Sequence, residues 1–178
     1  MIRVLFIVLL LVFHTCILRA QRGYFMHALR NLPSMGAAAV SGAANGAGDV
    51  MQFWYSSSVF PQSGAGAQFW NPDLSWRNKW RLDESGEVAR PLQERFWGSS
   101  RWFVATTDGW HMTKSIQLTA QHAAIVMYKP EPVYRLSWDA QGPAMTRAKW
   151  WWKPADFILH RAAFAVGWHA STRLLRTP

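Results

Sequence analysis

An all-α architecture is predicted, a small membrane helical bundle with about three spans and a long interfacial loop. Three observations lead there. Three stretches could enter a bilayer, at residues 4–18, 102–128 and 150–175. Tryptophan and basic residues crowd the ends of these stretches, as they do where helices meet a membrane interface. Half of the residues are hydrophobic and 16% are charged, below the roughly 25% usual in soluble domains. A mean hydropathy of −0.08 is too polar for a chain made only of spanning helix, so wet loops must separate the segments. The chain divides into a signal anchor with a basic flank (1–30), a small-residue segment with a tryptophan-rich interfacial loop (31–100), and a two-helix membrane hairpin (101–178).

The first stretch follows Arg3 and runs for fifteen residues without formal charge to Leu18, before Arg19 and Arg22. A crossing helix wants about 20 residues, so the flanking arginines must snorkel toward headgroups. A removed signal peptide has the same basic and apolar layout. However, Arg19-Ala20-Gln21-Arg22 offers no small-x-small cleavage site, which favours an uncleaved anchor. Cys16 is the single cysteine. It excludes an intrachain disulfide and a cysteine zinc cluster and reads as a small hydrophobe.

A net charge of +9 and a pI near 10.5 raise nucleic acid as a partner. The basic residues are scattered and lie beside tryptophans, which fits anionic lipid headgroups rather than a phosphodiester groove. The expected partners are membrane lipids and other membrane subunits or a second copy, with no nucleic acid. The expected location is a bacterial inner membrane.

Residues 21–30 read as a basic amphipathic stretch ended by Pro33. Residues 36–48 are rich in Gly and Ala and allow two readings. In water they form a flexible linker. In lipid, Ala38, Gly42 and Gly46 recur every four residues as a small-xxx-small packing stripe on a helix. From 63 to 100 the chain is polar and broken by proline and glycine. There, aromatics interleaved with Arg77, Lys79 and Arg81 suggest a segment lying along the interface. Trp70, Trp76 and Trp80 are its predicted anchors, and Trp150, Trp151 and Trp152 anchor the last helix.

The second and third segments carry polar groups that only protein contacts could make stable in lipid. Projected at about 100° per residue, Asp108, His111, Ser115 and His122 share one stripe. Asp156 and His160 share a face one turn apart, and His169 lies opposite. Carboxylates and imidazoles at such spacing hold transition metals in helical bundles. In an antiparallel hairpin His122 approaches Asp156 and His160, and these three are the candidate ligands for a transition metal or haem. Proton relay is a further possibility. The plainer alternative makes each Asp an ion-paired or hydrogen-bonded stabiliser. Asp108 and His111, at a helix start, form a second candidate polar site, held under a loop by Arg77 and Lys79.

Two blocks stand out: Phe69-Trp70-Asn71-Pro72-Asp73-Leu74-Ser75-Trp76-Arg77-Asn78-Lys79-Trp80 and Thr106-Thr107-Asp108-Gly109-Trp110-His111. Together they resemble a group of small bacterial multi-span membrane proteins. That group shares a Phe-Trp-Asn-Pro-x-x-Ser-Trp-x-Asn-Lys element and a Thr-Asp-x-Trp-His element. The resemblance implies a multi-span membrane protein and carries no known activity. Residues 21–48 and the polar second segment depart from it.

No nucleophile elbow, phosphate-binding glycine loop, His-Glu-x-x-His or dinucleotide fingerprint occurs. The leading expectation is therefore a non-catalytic accessory or scaffold subunit of a membrane complex. A metal-, haem- or proton-handling bundle and an exported soluble basic protein are the alternatives.

Overall fold

Small side chains decide how the helices meet. A computed structural model describes residues 22–130, 134–139, 142–147 and 151–177, so the 4–18 stretch and Trp150 lie outside the described residues. Helix α1 (Arg22–Arg30) leads into the long α2 (Leu32–Trp54), short α3 (Gly64–Trp70) and α4 (Pro72–Ser75) follow, and then come α5 (Gly109–Met127) and α6 (Trp152–Leu175). Single 3-10 turns occupy Tyr55–Ser57, Trp76–Lys79 and Val104–Thr106.

The Gly/Ala segment forms the middle of α2, with Pro33 tolerated in the first turn. Each of its interior glycines costs about 1 kcal/mol relative to alanine, so propensity alone does not make this helix. Packing against α6 does. A Cβ on Gly42 would lie 2.0 Å from the Phe164 carbonyl oxygen, one on Gly46 2.2 Å from Ser171 Oγ, and one on Gly167 1.9 Å from the Ala39 carbonyl oxygen. Glycines on both helices thus bring backbone against backbone.

Ser34, near the start of α2, donates to the Ala124 carbonyl near the end of α5 (2.6 Å) and sits 2.7 Å from His160 Nε2 in the first half of α6. Hence α2 runs antiparallel to α5 and parallel to α6, and α5 and α6 run opposite ways along it. Val50 and Met51 are fully buried, yet buried serine, threonine, asparagine and aspartate outnumber buried aliphatic side chains among the described residues. Close approach and hydrogen bonds carry much of the cohesion.

Two expectations are corrected. The connection between α5 and α6 contains an antiparallel hairpin, β1 (Tyr134–Asp139) and β2 (Gly142–Arg147), in register from Tyr134↔Arg147 to Asp139↔Gly142. The alternation of apolar and polar residues in Tyr-Arg-Leu-Ser-Trp-Asp is a strand signal; apart from this hairpin the regular elements among the described residues are helices and 3-10 turns, with isolated bridges at Ser58↔Arg176, Trp80↔Glu94 and Leu82↔Val88. Secondly, no helix among the described residues is long and apolar enough to cross a membrane. The reason lies in side chains such as Gln121 and His122 on α5 and Arg161, His169 and Arg173 on α6, which are exposed along the helices. The face of α5 that α2 covers is also not the predicted polar stripe. The buried residues of α5 are Gly109, Thr113 and Ala120; Thr113 lies toward Gly48 of α2, and Gly109 is covered by Trp70 of α3.

Candidate functional site

The two blocks singled out in the sequence fold onto one another at the start of α5. Asn71 ends α3 and caps α4, its Oδ1 accepting the Asp73 amide at 2.9 Å, with Pro72 in the first helical position, where its missing N–H is harmless. The chain thereby reverses and continues into the 76–79 turn. Asn78 is buried and its Nδ2 donates to the Gln68 carbonyl (2.9 Å) and the Thr107 carbonyl (2.8 Å). This clamps the first block to the residue before Asp108. Trp70 closes the gap: a Cβ on Gly109 would lie 2.3 Å from its ring, so glycine is required there.

Asp108, 2% exposed, serves two neighbours. Its Oδ1 accepts the His111 amide at 2.8 Å, satisfying a free donor in the first turn of α5. Both of its carboxylate oxygens also lie 2.7–2.8 Å from His111 Nδ1. A carboxylate only accepts, so Nδ1 carries the proton and Nε2 is the free ring nitrogen. Lys79 Nζ stands 3.6 Å from the same carboxylate. Around them lies a cleft of about 260 Å³ lined by Gln52, Pro72, Ser75, Trp76, Trp110 and the three charged or titratable groups. The arrangement holds an imidazole rigidly, its second nitrogen available, between two indoles and beside a cation. Of the predicted loop contacts, Lys79 reaches Asp108, whereas Arg77 pairs with Glu87 at 3.2 Å.

The predicted metal trio does not assemble. Asp156 and His160 share one end of the bundle, where His160 Nδ1 donates to the Asp156 carbonyl (2.8 Å). His122 is exposed and its Nδ1 bonds the Leu118 carbonyl one turn back (2.7 Å), because α5 turns that face outward. No group of three or more metal-binding side chains occurs among the described residues.

Asp156 instead collects donors that the sequence reading did not assign to it. His27 Nε2 approaches at 2.7 Å, Tyr128 OH at 2.7 Å and Tyr24 OH at 3.3 Å. Asn31 ties the same end together, accepting the Lys129 amide (2.8 Å) and donating to the Lys129 carbonyl (3.2 Å). The spacing of His27 and Asn31, one helical turn, is a local hint; their partners come from two other segments, the end of α5 and α6.

Burial pushes the Tyr128 phenol up to about 12, and the hydrogen bond and charge of Asp156 push the same way. Tyr24 is raised further, by burial first and then by Asp156. A raised phenol binds its proton more tightly folded than unfolded. Its contribution to stability is complete below the ordinary value near 10 and is lost as pH climbs through the folded value. Alkaline titration should therefore show phenolate absorbance from these tyrosines arriving together with loss of helical circular dichroism. All tyrosines ionising near their ordinary value, with helix intact, would contradict the buried cluster.

The predicted anchors divide in the same manner. Trp152 is buried against His27 and Tyr24, Trp70 stacks on Phe60, and Trp80 and Trp151 are half-buried, leaving Trp76 as the open one. Among the described residues the most exposed tryptophans are Trp97 and Trp102, at 78% and 76%, which composition alone did not distinguish from the rest. Compared with known proteins, the chain matches no family model, no curated protein and no solved structure.

Proposed function

We propose that this chain is a non-catalytic accessory or scaffold protein of a bacterial inner-membrane complex, held to the bilayer through residues 4–18. The supporting observation is where apolar surface is left open. Phe25 and Met26 of α1, Leu32 of α2, Ile125 and Val126 of α5, and Phe157 and Ile158 of α6 are all exposed. They belong to the end of the bundle that the 4–18 stretch adjoins in sequence. Adjacent helical residues point about 100° apart, so this surface wraps around the end instead of forming one stripe. Arg30, Lys129, Lys153 and Arg161, also exposed, supply cations for anionic headgroups. Apolar side chains exposed together beside cations favour an interaction at this end. The Asp108–His111–Lys79 cleft, at the far end of α2, is then the recognition site for a partner subunit.

Alkaline carbonate extraction of membranes from cells making the full chain tests the anchor, with the protein expected in the pellet. Cross-linking in mild detergent tests the cleft. Asp108→Asn and His111→Ala should abolish the partner cross-link and leave membrane recovery unchanged. Release by carbonate would favour the exported soluble alternative. A second reading, proton relay through the bundle, draws on the Tyr24, His27, Asp156 and Tyr128 cluster. It requires Asp156→Asn to abolish proton uptake by vesicles carrying the protein.

A further inference from the structure

We infer that the turn bearing Trp97 and Trp102 is a preformed insertion loop for the headgroup region of an anionic phospholipid bilayer, a second membrane contact that rests on the anchored reading above. Within residues 96–103, Phe96, Trp97, Trp102 and Phe103 are all exposed, and Arg95 and Arg101 are exposed beside them. Tryptophan and arginine displayed together suit the interface, where an indole buries its rings and keeps its N–H wet while guanidinium meets phosphate.

The charge around the turn is complementary to such a surface. Its one carboxylate, Glu94, points inward, accepting the Gly98 amide (2.9 Å), the Ser100 amide (3.2 Å) and the Ser100 hydroxyl. Those bonds, the hydroxyl's foremost, hold the Glu94 carboxyl below its usual range.

The turn is also rigid. The amides of Arg101, Trp102 and Phe103 converge on the Gly98 carbonyl at 2.9–3.1 Å, and Gly98 has a φ of +78° that favours glycine. Ser99, fully buried, donates to the Lys79 carbonyl at 2.7 Å and ties the turn to the cleft. Four large aromatic side chains are thus held out in water by a backbone that loses little freedom on binding, which is how preorganisation favours association. The turn leads into the start of α5, near the C-terminal end of α2, whereas α1 lies at the N-terminal end of α2, about 34 Å away along that helix.

The test uses the full chain with Cys16→Ser, labelled at Trp97→Cys with an environment-sensitive fluorophore and reconstituted into phosphatidylcholine vesicles with and without phosphatidylglycerol. A label at Glu84→Cys, on an exposed neighbouring turn, is the control. With phosphatidylglycerol the label at 97 should shift to the blue and be quenched by spin-labelled lipid, while the label at 84 stays aqueous. Arg95→Gln with Arg101→Gln should remove the shift. An aqueous label at 97 in protein that remains with the vesicles overturns the loop and leaves the anchor standing. Protein that leaves the vesicles overturns the anchored reading itself. A blue shift in detergent without lipid, growing with protein concentration, assigns the turn to a second copy and also overturns the inference.

Discussion

Gly167→Ala is expected to cost about 3 kcal/mol or more, the upper end of what overpacking does in well-packed cores. The added Cβ would lie 1.9 Å from the Ala39 carbonyl oxygen, 2.8 Å from its carbon and 3.0 Å from the Ala43 nitrogen. All three atoms belong to the backbone of α2, so no side chain can swing away, and the helices must separate along their contact. For a chain of this size that corresponds to a fall of about 6–12 °C in Tm, read by circular dichroism. Gly42→Ala meets the Phe164 carbonyl at 2.0 Å and should cost a similar amount. The double variant should lose less than the sum, since one separation relieves both clashes. Gly36→Ala, with nothing within 4 Å, should instead gain about 0.5–1 kcal/mol. Equal behaviour of Gly36→Ala and Gly167→Ala would refute the close α2–α6 approach.

Asp156→Ala should destabilise by about 3–5 kcal/mol, as breaking a buried charged contact does when the other members stay behind. It removes the acceptor shared by His27, Tyr128 and Tyr24, of which His27 is 2% exposed. Asp156→Asn keeps one acceptor but turns an amide donor toward a set of donors, and should fall between Asp156→Ala and the unaltered protein. Tyr24→Phe removes only the longest of the three bonds, at 3.3 Å, and should cost about 1 kcal/mol. Chemical denaturation of the four proteins orders them. A Tyr24→Phe as damaging as Asp156→Ala would mean that the carboxylate is not the hub.

The stretches 102–128 and 150–175 were legible as helical because tryptophan, proline and lysine mark their ends, although the first helix begins only at Gly109, and the Asp108–His111 pair because the two are three residues apart. The hairpin at 134–147 reads in sequence only as a basic connection; the first strand, Tyr134–Asp139, carries an apolar–polar alternation, while Gly142–Arg147 carries none. The metal trio failed for a geometric reason. Projection says which residues share a face of one helix, but not which way that face turns, and α5 turns His122 to solvent.

Local spacing by itself therefore determined the two long helices after residue 100 and the Asp108–His111 pair, since each depends on residues within one or two turns. Only the tertiary structure decided that α2 is a helix in its middle, where glycine disfavours one until α6 packs against it. It likewise decided that Asp156 gathers His27, Tyr24 and Tyr128, groups up to 132 residues apart. Such contacts form when burial makes an unpaired polar group costly, and burial is a property of the whole packed arrangement that no stretch of sequence carries alone.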